Sequence, residues 1–179
     1  MKNGIVILTE EDMRRTLERL AYQVLEKHGE CANLLIIGIQ RRGVDLAARL
    51  RAILGQRLGC EPPFGALDIN LYRDDWTSLE SHPVINRTEL PQNIDGQNIL
   101  LVDDVLYTGR TIRAALEGIL DFGRPRTVEL LVLVDRGHRE LPIHADYVGK
   151  VVNTAREERV DVLTKERDGQ DVVMLLEKA

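Results

Sequence analysis

The chain holds no apolar run near the ~20 residues that a membrane-spanning helix needs. Its first residues, Met1-Lys2-Asn3-Gly4, do not open the apolar core of a signal segment. Only Cys31 and Cys60 supply thiols, and they are too far apart in sequence for a short metal-binding motif. Together these absences point to a cytoplasmic protein. Positive charge is not in excess either. A net charge of −5 argues against general affinity for nucleic acid, though it leaves room for a local basic face. No G-x-x-x-x-G-K-[ST] string occurs, which disfavours the phosphate-loop nucleotide triphosphatases. No repeat, low-complexity tract or long linker interrupts the sequence. With 179 residues, 44% of them hydrophobic, it can bury a sizeable core, and a single domain over 1–179 is expected.

The most informative stretch is Ile99-Leu-Leu-Val-Asp-Asp-Val-Leu-Tyr-Thr-Gly-Arg-Thr111. Ile99 to Val102 suit a strand buried on both faces. Two adjacent carboxylates follow, Asp103 and Asp104, and then Val105 and Leu106. Tyr107, Thr108, Gly109, Arg110 and Thr111 form a hydroxyl-rich loop, and a helical pattern runs from Ile112 through Ala115, Leu116, Ile119 and Leu120 to a stop at Gly123. Free N–H groups and the helix dipole make such a strand-loop-helix corner an anion site. Gly109 lets the backbone close on an anion, and Thr108 and Thr111 can donate hydroxyls. Two carboxylates beside it would repel a bare phosphate, but they suit a polyol or a developing cation. Ribose 5-phosphate has both halves.

Other segments repeat the theme. Thr9 is expected to cap a helix that ends near Gly29, with apolar Met13, Leu17, Leu20, Ala21 and Val24 on one face and Arg15, Arg19 and Tyr22 on another. Leu34 to Ile37 read as a buried strand, followed by Gly38-Ile39-Gln40-Arg41-Arg42-Gly43 and a helix through Val44, Ala47, Leu50 and Leu54. This is a second anion corner, or else an ordinary basic turn. Residues 59–65 read as a connection, and Leu67, Ile69 and Leu71 alternate with polar neighbours as in a half-exposed strand. The polar stretch beyond Arg73, with Val84 to Leu90 returning, is a candidate hairpin lid in which Trp76 covers either the lid or an interface. Val128 to Val134 form a further strand that ends in Asp135-Arg136-Gly137-His138-Arg139-Glu140-Leu141-Pro142-Ile143. Val160 to Leu163, a turn at Asp168-Gly169 and Val172 to Leu176 close the chain as a hairpin. The alternation gives an α/β fold, a mainly parallel twisted sheet flanked by helices, with ligand loops at the carboxyl ends of the strands.

The 99–111 string resembles the phosphoribosyl-pyrophosphate (PRPP) motif of the type I phosphoribosyltransferases. With the 135–143 run, it is most similar to their pyrimidine-regulator branch, PyrR. The resemblance implies a small hood over the base, built by the 135–150 region, and a flexible lid entered at Leu71-Tyr72-Arg73-Asp74-Asp75. It implies the reaction of uracil with PRPP to give uridine 5′-monophosphate (UMP) and pyrophosphate. Asp103, Asp104 and Arg73 would be catalytic, and residues 103–111 would hold the ribose phosphate. Gln40, Arg41, Arg42 and Gly43 would form the pyrophosphate loop, and Arg136 and Val160 would lie on the base side. Mg²⁺ would be held mainly by substrate and water, with no direct protein ligand assigned. A purine base, hypoxanthine or guanine, is the alternative substrate. The branch also binds pyrimidine-operon messenger RNA in response to uridine nucleotides such as UMP and UTP. Arg15, Arg19, Arg139 and Lys150 are the RNA-contact candidates, in a homodimer or larger homo-oligomer. Departures from the usual pattern fall at Gln40 and Arg41 in the pyrophosphate loop, and at Glu18, Tyr22 and His144 on the RNA side. Arg41 in place of a small residue also keeps open a nucleotide-sensing regulator with little turnover.

Overall fold

A computed structural model describes residues 4–72, 88–91 and 93–177. Arg73, Trp76 and the body of the expected lid lie outside the described residues. In chain order the elements are β1 (Gly4–Leu8), α1 (Glu10–His28), β2 (Leu34–Ile39), α2 (Arg42–Leu58), β3 (Phe64–Leu67), a 3₁₀ turn (Asn70–Tyr72), β4 (Asn98–Leu106), α3 (Arg110–Leu120), β5 (Thr127–Asp135), β6 (Tyr147–Val151), β7 (Arg159–Leu163), α4 (Lys165–Asp168) and β8 (Val172–Leu176). Five strands in the order β3-β2-β4-β5-β6 form an entirely parallel sheet. Three more, β1-β8-β7, form a small antiparallel sheet, the hood.

The central strands are apolar without alternation because both faces of the sheet are covered. On one face α1 and α2 bury Leu17, Leu20, Leu46 and Leu50 against Ile36, Leu100 and Val102. The hood joins the same cluster through Val160, Val162 and Val173. On the other face α3 buries Ile112, Ala115 and Ile119 against Ile37, Leu101 and Val132. The Thr9 cap forms as expected, with the Asp12 N–H donating to the Thr9 hydroxyl at 3.2 Å and the Asp12 carboxylate accepting from the Thr9 N–H at 3.0 Å.

Several boundaries differ from the sequence reading, each for a local reason. The strand expected at 67–71 lies earlier, at Phe64–Leu67, so Phe64 and Gly65 are strand rather than connection. The Asp68 carboxylate accepts the Asn70 N–H at 2.9 Å, a side-chain turn that ends the strand and starts the 3₁₀ turn. The returning arm does reach β3 at Glu89, which exchanges both backbone hydrogen bonds with Ala66. β4 continues through Asp103 and Asp104 to Leu106, because β5 keeps pairing with it as far as Asp135. Helix α3 starts at Arg110 rather than Ile112, and α2 at Arg42 rather than Val44. The hood was expected from the 135–150 region, yet Tyr147–Val151 is the edge strand of the main sheet. The two ends of the chain supply the hood instead, through β1, β7 and β8. β1 was not foreseen at all. The Asp168-Gly169 turn is a one-turn helix, α4, that ends on left-handed Gly169 with φ +75°.

Candidate functional site

Two strand-to-helix corners meet at the carboxyl ends of β2 and β4, and a cleft of about 300 Å³ lies between them. Gln40, Arg41 and Arg42 line one side, and Asp103, Asp104, Val105 and Thr111 the other. Ile69 and Asn70 complete it, and the sequence reading did not single them out. Their signal was Asp68-Ile69-Asn70, a turn former that reads equally well as an alternating strand. The Gln40–Arg41 peptide is cis.

Gly43 allows the two corners to touch. A Cβ there would lie 2.6 Å from the Val102 carbonyl oxygen and 3.2 Å from the Asp103 Cα. The first turn of α2 therefore rests directly on the β4 backbone where the acid pair begins. Gly38 is equally confined: its Cβ would lie 2.5 Å from the Val44 Cα.

Asp103 is buried and Asp104 half-buried. Asp103 is 6% exposed, and its carboxylate accepts the Asp104 N–H at 3.0 Å. The Asp104 carboxylate accepts the Val105 N–H at 2.8 Å. Burial pushes the Asp103 carboxyl well above the usual carboxylate range, and the neighbouring Asp104 charge adds to the rise. Burial also raises the Asp104 carboxyl, against the Val105 N–H and the Arg42 charge, which favour its ionised form. Such a pair favours a positive partner, whether a hydroxyl-bearing carbon gaining charge or a cation. Carboxylate oxygens of this kind also suit a hard cation. Among the described residues no group of three or more His, Cys, Asp or Glu side chains forms a site that could hold a metal on its own.

Past β4, Gly109 takes φ +92° and α3 begins at Arg110, whose N–H donates to the Thr108 hydroxyl at 3.3 Å. The start of a helix is where backbone N–H groups and the helix dipole suit an anion. The loop is clamped from the 135–143 run. The Thr108 carbonyl accepts from the Glu140 and Leu141 N–H groups at 2.9 and 3.1 Å, and Arg110 pairs with Glu140 at 2.7 Å. Arg139 donates to the carbonyls of Tyr107, Ile143 and Gly137 at 2.8, 2.9 and 3.1 Å and pairs with Asp135. The two most specific strings of the sequence are thus one structural unit.

The other candidates separate. Arg136 is buried, with its guanidinium 4.1 Å over the Tyr107 ring. Its Nη2 donates to the Ala155 and Arg156 carbonyls, and among the described residues its Nε has no hydrogen-bond partner. Val160 is buried in the core on β7. Arg15, Arg19 and Lys150 gather where α1 crosses the edge strand β6. Arg15 pairs with Glu11 at 2.8 Å, Arg19 donates to the Gly149 carbonyl, and Lys150 to the Ile7 carbonyl at 3.1 Å. Arg139 does not join them, because its side chain is committed to the clamp inside the fold.

Comparison with known proteins identifies relatives of the whole fold. A family model described as phosphoribosyl transferase domain matches residues 7–165. A protein of Pelotomaculum thermopropionicum named bifunctional protein PyrR is 51% identical over 173 residues, 97% of this chain and 96% of that one. One of the same name from Deinococcus radiodurans is 50% identical over 171 residues, 96% of this chain and 93% of that one. The hypoxanthine phosphoribosyltransferase of Trypanosoma cruzi superposes with a TM-score of 0.71 at 18% identity, covering 97% of both chains. A hypoxanthine phosphoribosyltransferase from Staphylococcus aureus gives 0.67 at 22%, covering 97% of this chain and 92% of that one. At such identities the two structures show a shared fold.

Proposed function

The chain belongs to the phosphoribosyltransferase family and to its PyrR branch, and from that premise we propose that it makes UMP and pyrophosphate from uracil and PRPP. One observation carries the reading: an acid pair at a strand end next to the start of a helix, across a narrow cleft from an arginine loop. The resemblance to hypoxanthine enzymes lies in the fold and does not favour a purine base. The protein acts in the cytoplasm as one domain, in a homodimer or larger homo-oligomer. Among the described residues no helix is long and apolar enough to cross a membrane.

The 5′-phosphate is seated on the first N–H groups of α3 with the Thr108 and Thr111 hydroxyls. Val105, Leu106, Tyr107, Gly109 and Arg110 supply the frame of that loop. Asp103 and Asp104 take the ribose hydroxyls. As pyrophosphate leaves, C1 gains oxocarbenium character, and the two fixed carboxylates stabilise it without having to reorient. Gln40, Arg41, Arg42 and Gly43 face the leaving group, with Arg73 joining from the lid entrance. Mg²⁺, when bound, would add countercharge to the leaving pyrophosphate and would be held mainly by substrate oxygens and water, because it dehydrates reluctantly. Arg136 and Val160 lie on the base side. Val160 is in the core, so its backbone rather than its side chain reads uracil.

An assay of uracil against hypoxanthine and guanine with PRPP and Mg²⁺ tests the reading. Turnover with uracil is expected, with a preference of at least ~10²-fold, because a 6-oxopurine repeats the N–H and one carbonyl of uracil but leaves the donor set for O2 unpaired and brings a second ring to be housed. Turnover with a purine and not with uracil would overturn it.

A second role has its own support. Arg15, Arg19 and Lys150 share one face, and the curated relatives are named bifunctional. We propose that this face contacts pyrimidine-operon messenger RNA when UMP or UTP fills the cleft. Arg139 could act there only by shaping the neighbouring loop. Glu11, Asp12 and Glu18 interrupt the face with negative charge, so the affinity should be modest and strongly salt-sensitive. A filter-binding titration with the operon leader, with and without UMP, is expected to show saturable binding that weakens as salt rises. Binding absent at low salt would leave the enzyme alone.

A further inference from the structure

Helix α2 is tied to the hood by three polar rungs. Arg42, Asp45 and Arg49 stand at i, i+3 and i+7, on one face of the helix. Arg49 pairs with Asp171 at 2.7 Å and also with Glu166. The Asp45 carboxylate accepts from Arg167 Nε at 2.6 Å and from the Thr164 hydroxyl at 3.1 Å. Arg42 forks onto Asp168, with Nε and Nη2 at 3.3 and 3.2 Å from its two oxygens, and its Nη1 lies 4.0 Å from Asp161. Among the described residues Arg42 is the one member of the ladder that also lines the cleft, opposite Asp103 and Asp104.

Asp168 is itself fixed. Its carboxylate accepts the Thr164 N–H at 2.9 Å, closing the single turn of α4. A guanidinium has five N–H donors in a rigid plane. The fork uses two of them on one edge, and the opposite edge keeps its donors. Without the fork, a long side chain with this charge has an obvious alternative. It would swing onto the acid pair across the cleft, neutralise the carboxylates that a sugar needs, and fill the space the sugar enters.

We propose that Asp168 is a positioning residue. It holds the Arg42 guanidinium on the pyrophosphate side of the cleft and off the Asp103–Asp104 pair, so that the hood sets the geometry of the anion site. The inference rests on the reading of the cleft as a PRPP site. It assigns Asp168 no contact with substrate. Asp161, shared with Arg159 at 3.7 Å, is the weaker second anchor.

The test is a double-mutant cycle on PRPP affinity, measured by calorimetry with Mg²⁺ and as KM. In Asp168→Asn the amide oxygen still accepts the Thr164 N–H, so α4 survives while the charged fork is lost. PRPP affinity and KM are expected to worsen roughly tenfold, with kcat at saturation within about twofold, because a charge-assisted bidentate bond fixes orientation. Asp168→Glu, which keeps the charge, should recover part of the loss. In an Arg42→Gln background Asp168→Asn should add nothing. Glu166→Gln breaks a rung that does not reach the cleft. It should lower thermal stability and leave PRPP affinity unchanged. Unaltered PRPP affinity in Asp168→Asn, or an equal loss with and without Arg42, would overturn the proposal. Wild-type protein that binds PRPP and shows the coupling but does not convert uracil would instead overturn the assigned reaction and leave this inference standing.

Discussion

Asp104→Asn is expected to cut kcat with uracil and PRPP by at least ~10²-fold while leaving the protein folded and better able to withstand heat near neutral pH. The substitution is nearly isosteric, and the amide oxygen can still accept the Val105 N–H that the carboxylate now takes at 2.8 Å. What is lost is a negative charge at a half-buried position on the wall of the cleft. That charge is costly to the resting protein, since burial pushes both carboxyls of the pair upward. For an acid whose folded pKa lies above its unfolded value, the proton is held more tightly in the folded state. Stability is then full below the unfolded value and falls as pH rises through the folded one. Removing one carboxyl relieves this, so the gain in melting temperature over wild type should be small in acid and widen toward neutral pH. Activity runs the other way. A protonated pair cannot stabilise a cationic C1, so kcat/KM should decline with acid at a pH above the usual carboxylate range. The matching measurements are steady-state rates and melting curves across the same pH series. Near-normal turnover in Asp104→Asn would count decisively against the assigned role, whatever its melting curve.

The opposed signs explain why the acid pair was easy to find in the sequence. Two carboxylates straight after four apolar strand residues make poor sense for folding, and residues that oppose the local pattern mark functional sites. The parallel sheet was legible for the converse reason: each central strand is a continuous apolar run between turn signals, and Leu34, Leu35, Ile99, Leu101, Leu131 and Val132 are all buried. The hood was harder. β1 is short and has Ile5 and Val6 exposed, and it is a strand because β8 pairs with it from the far end of the chain. No window of sequence contains that partner. The same applies to the clamp on the phosphate loop. Arg139 looked like a surface cation, and nothing near it in sequence announces that the Tyr107 carbonyl would take one of its donors. The Arg42–Asp168 fork spans 126 positions and was equally hidden. Local patterns gave the elements and the acid pair, and long-range pairing decided which charged side chains were already occupied.

Gly43→Ala separates local preference from tertiary contact most sharply. Gly43 lies in the first turn of α2, and alanine is a better helix former than glycine by about 1 kcal/mol. On that ground the substitution should stabilise the protein. The added Cβ, however, would meet the Val102 carbonyl oxygen at 2.6 Å and the Asp103 Cα at 3.2 Å. Neither atom belongs to a flexible side chain that could turn aside. Both lie in the central strand of the sheet, paired with β2 on one edge and β5 on the other. Overpacking of this kind costs roughly 1–3 kcal/mol, more than the propensity returns. The net result expected is a melting temperature lower by about 2–6 °C for a domain of this size. The functional loss should be larger than the stability loss. Relief of the clash moves the start of α2 away from β4, and the two walls of the cleft, Arg42 and the acid pair, move apart with it. A displacement near 1 Å at a site that must hold both ends of one substrate can cost about 10²-fold in kcat/KM. Gly59→Ala is the control. It is also a glycine on α2, at the C-cap with φ +75° and with open space where its Cβ would go. It should lose about 1 kcal/mol of stability from left-handed strain alone and keep its PRPP affinity. A Gly43→Ala protein with a raised melting temperature and intact PRPP affinity would mean that α2 does not rest on β4 at the acid pair, and the cleft would lose its floor.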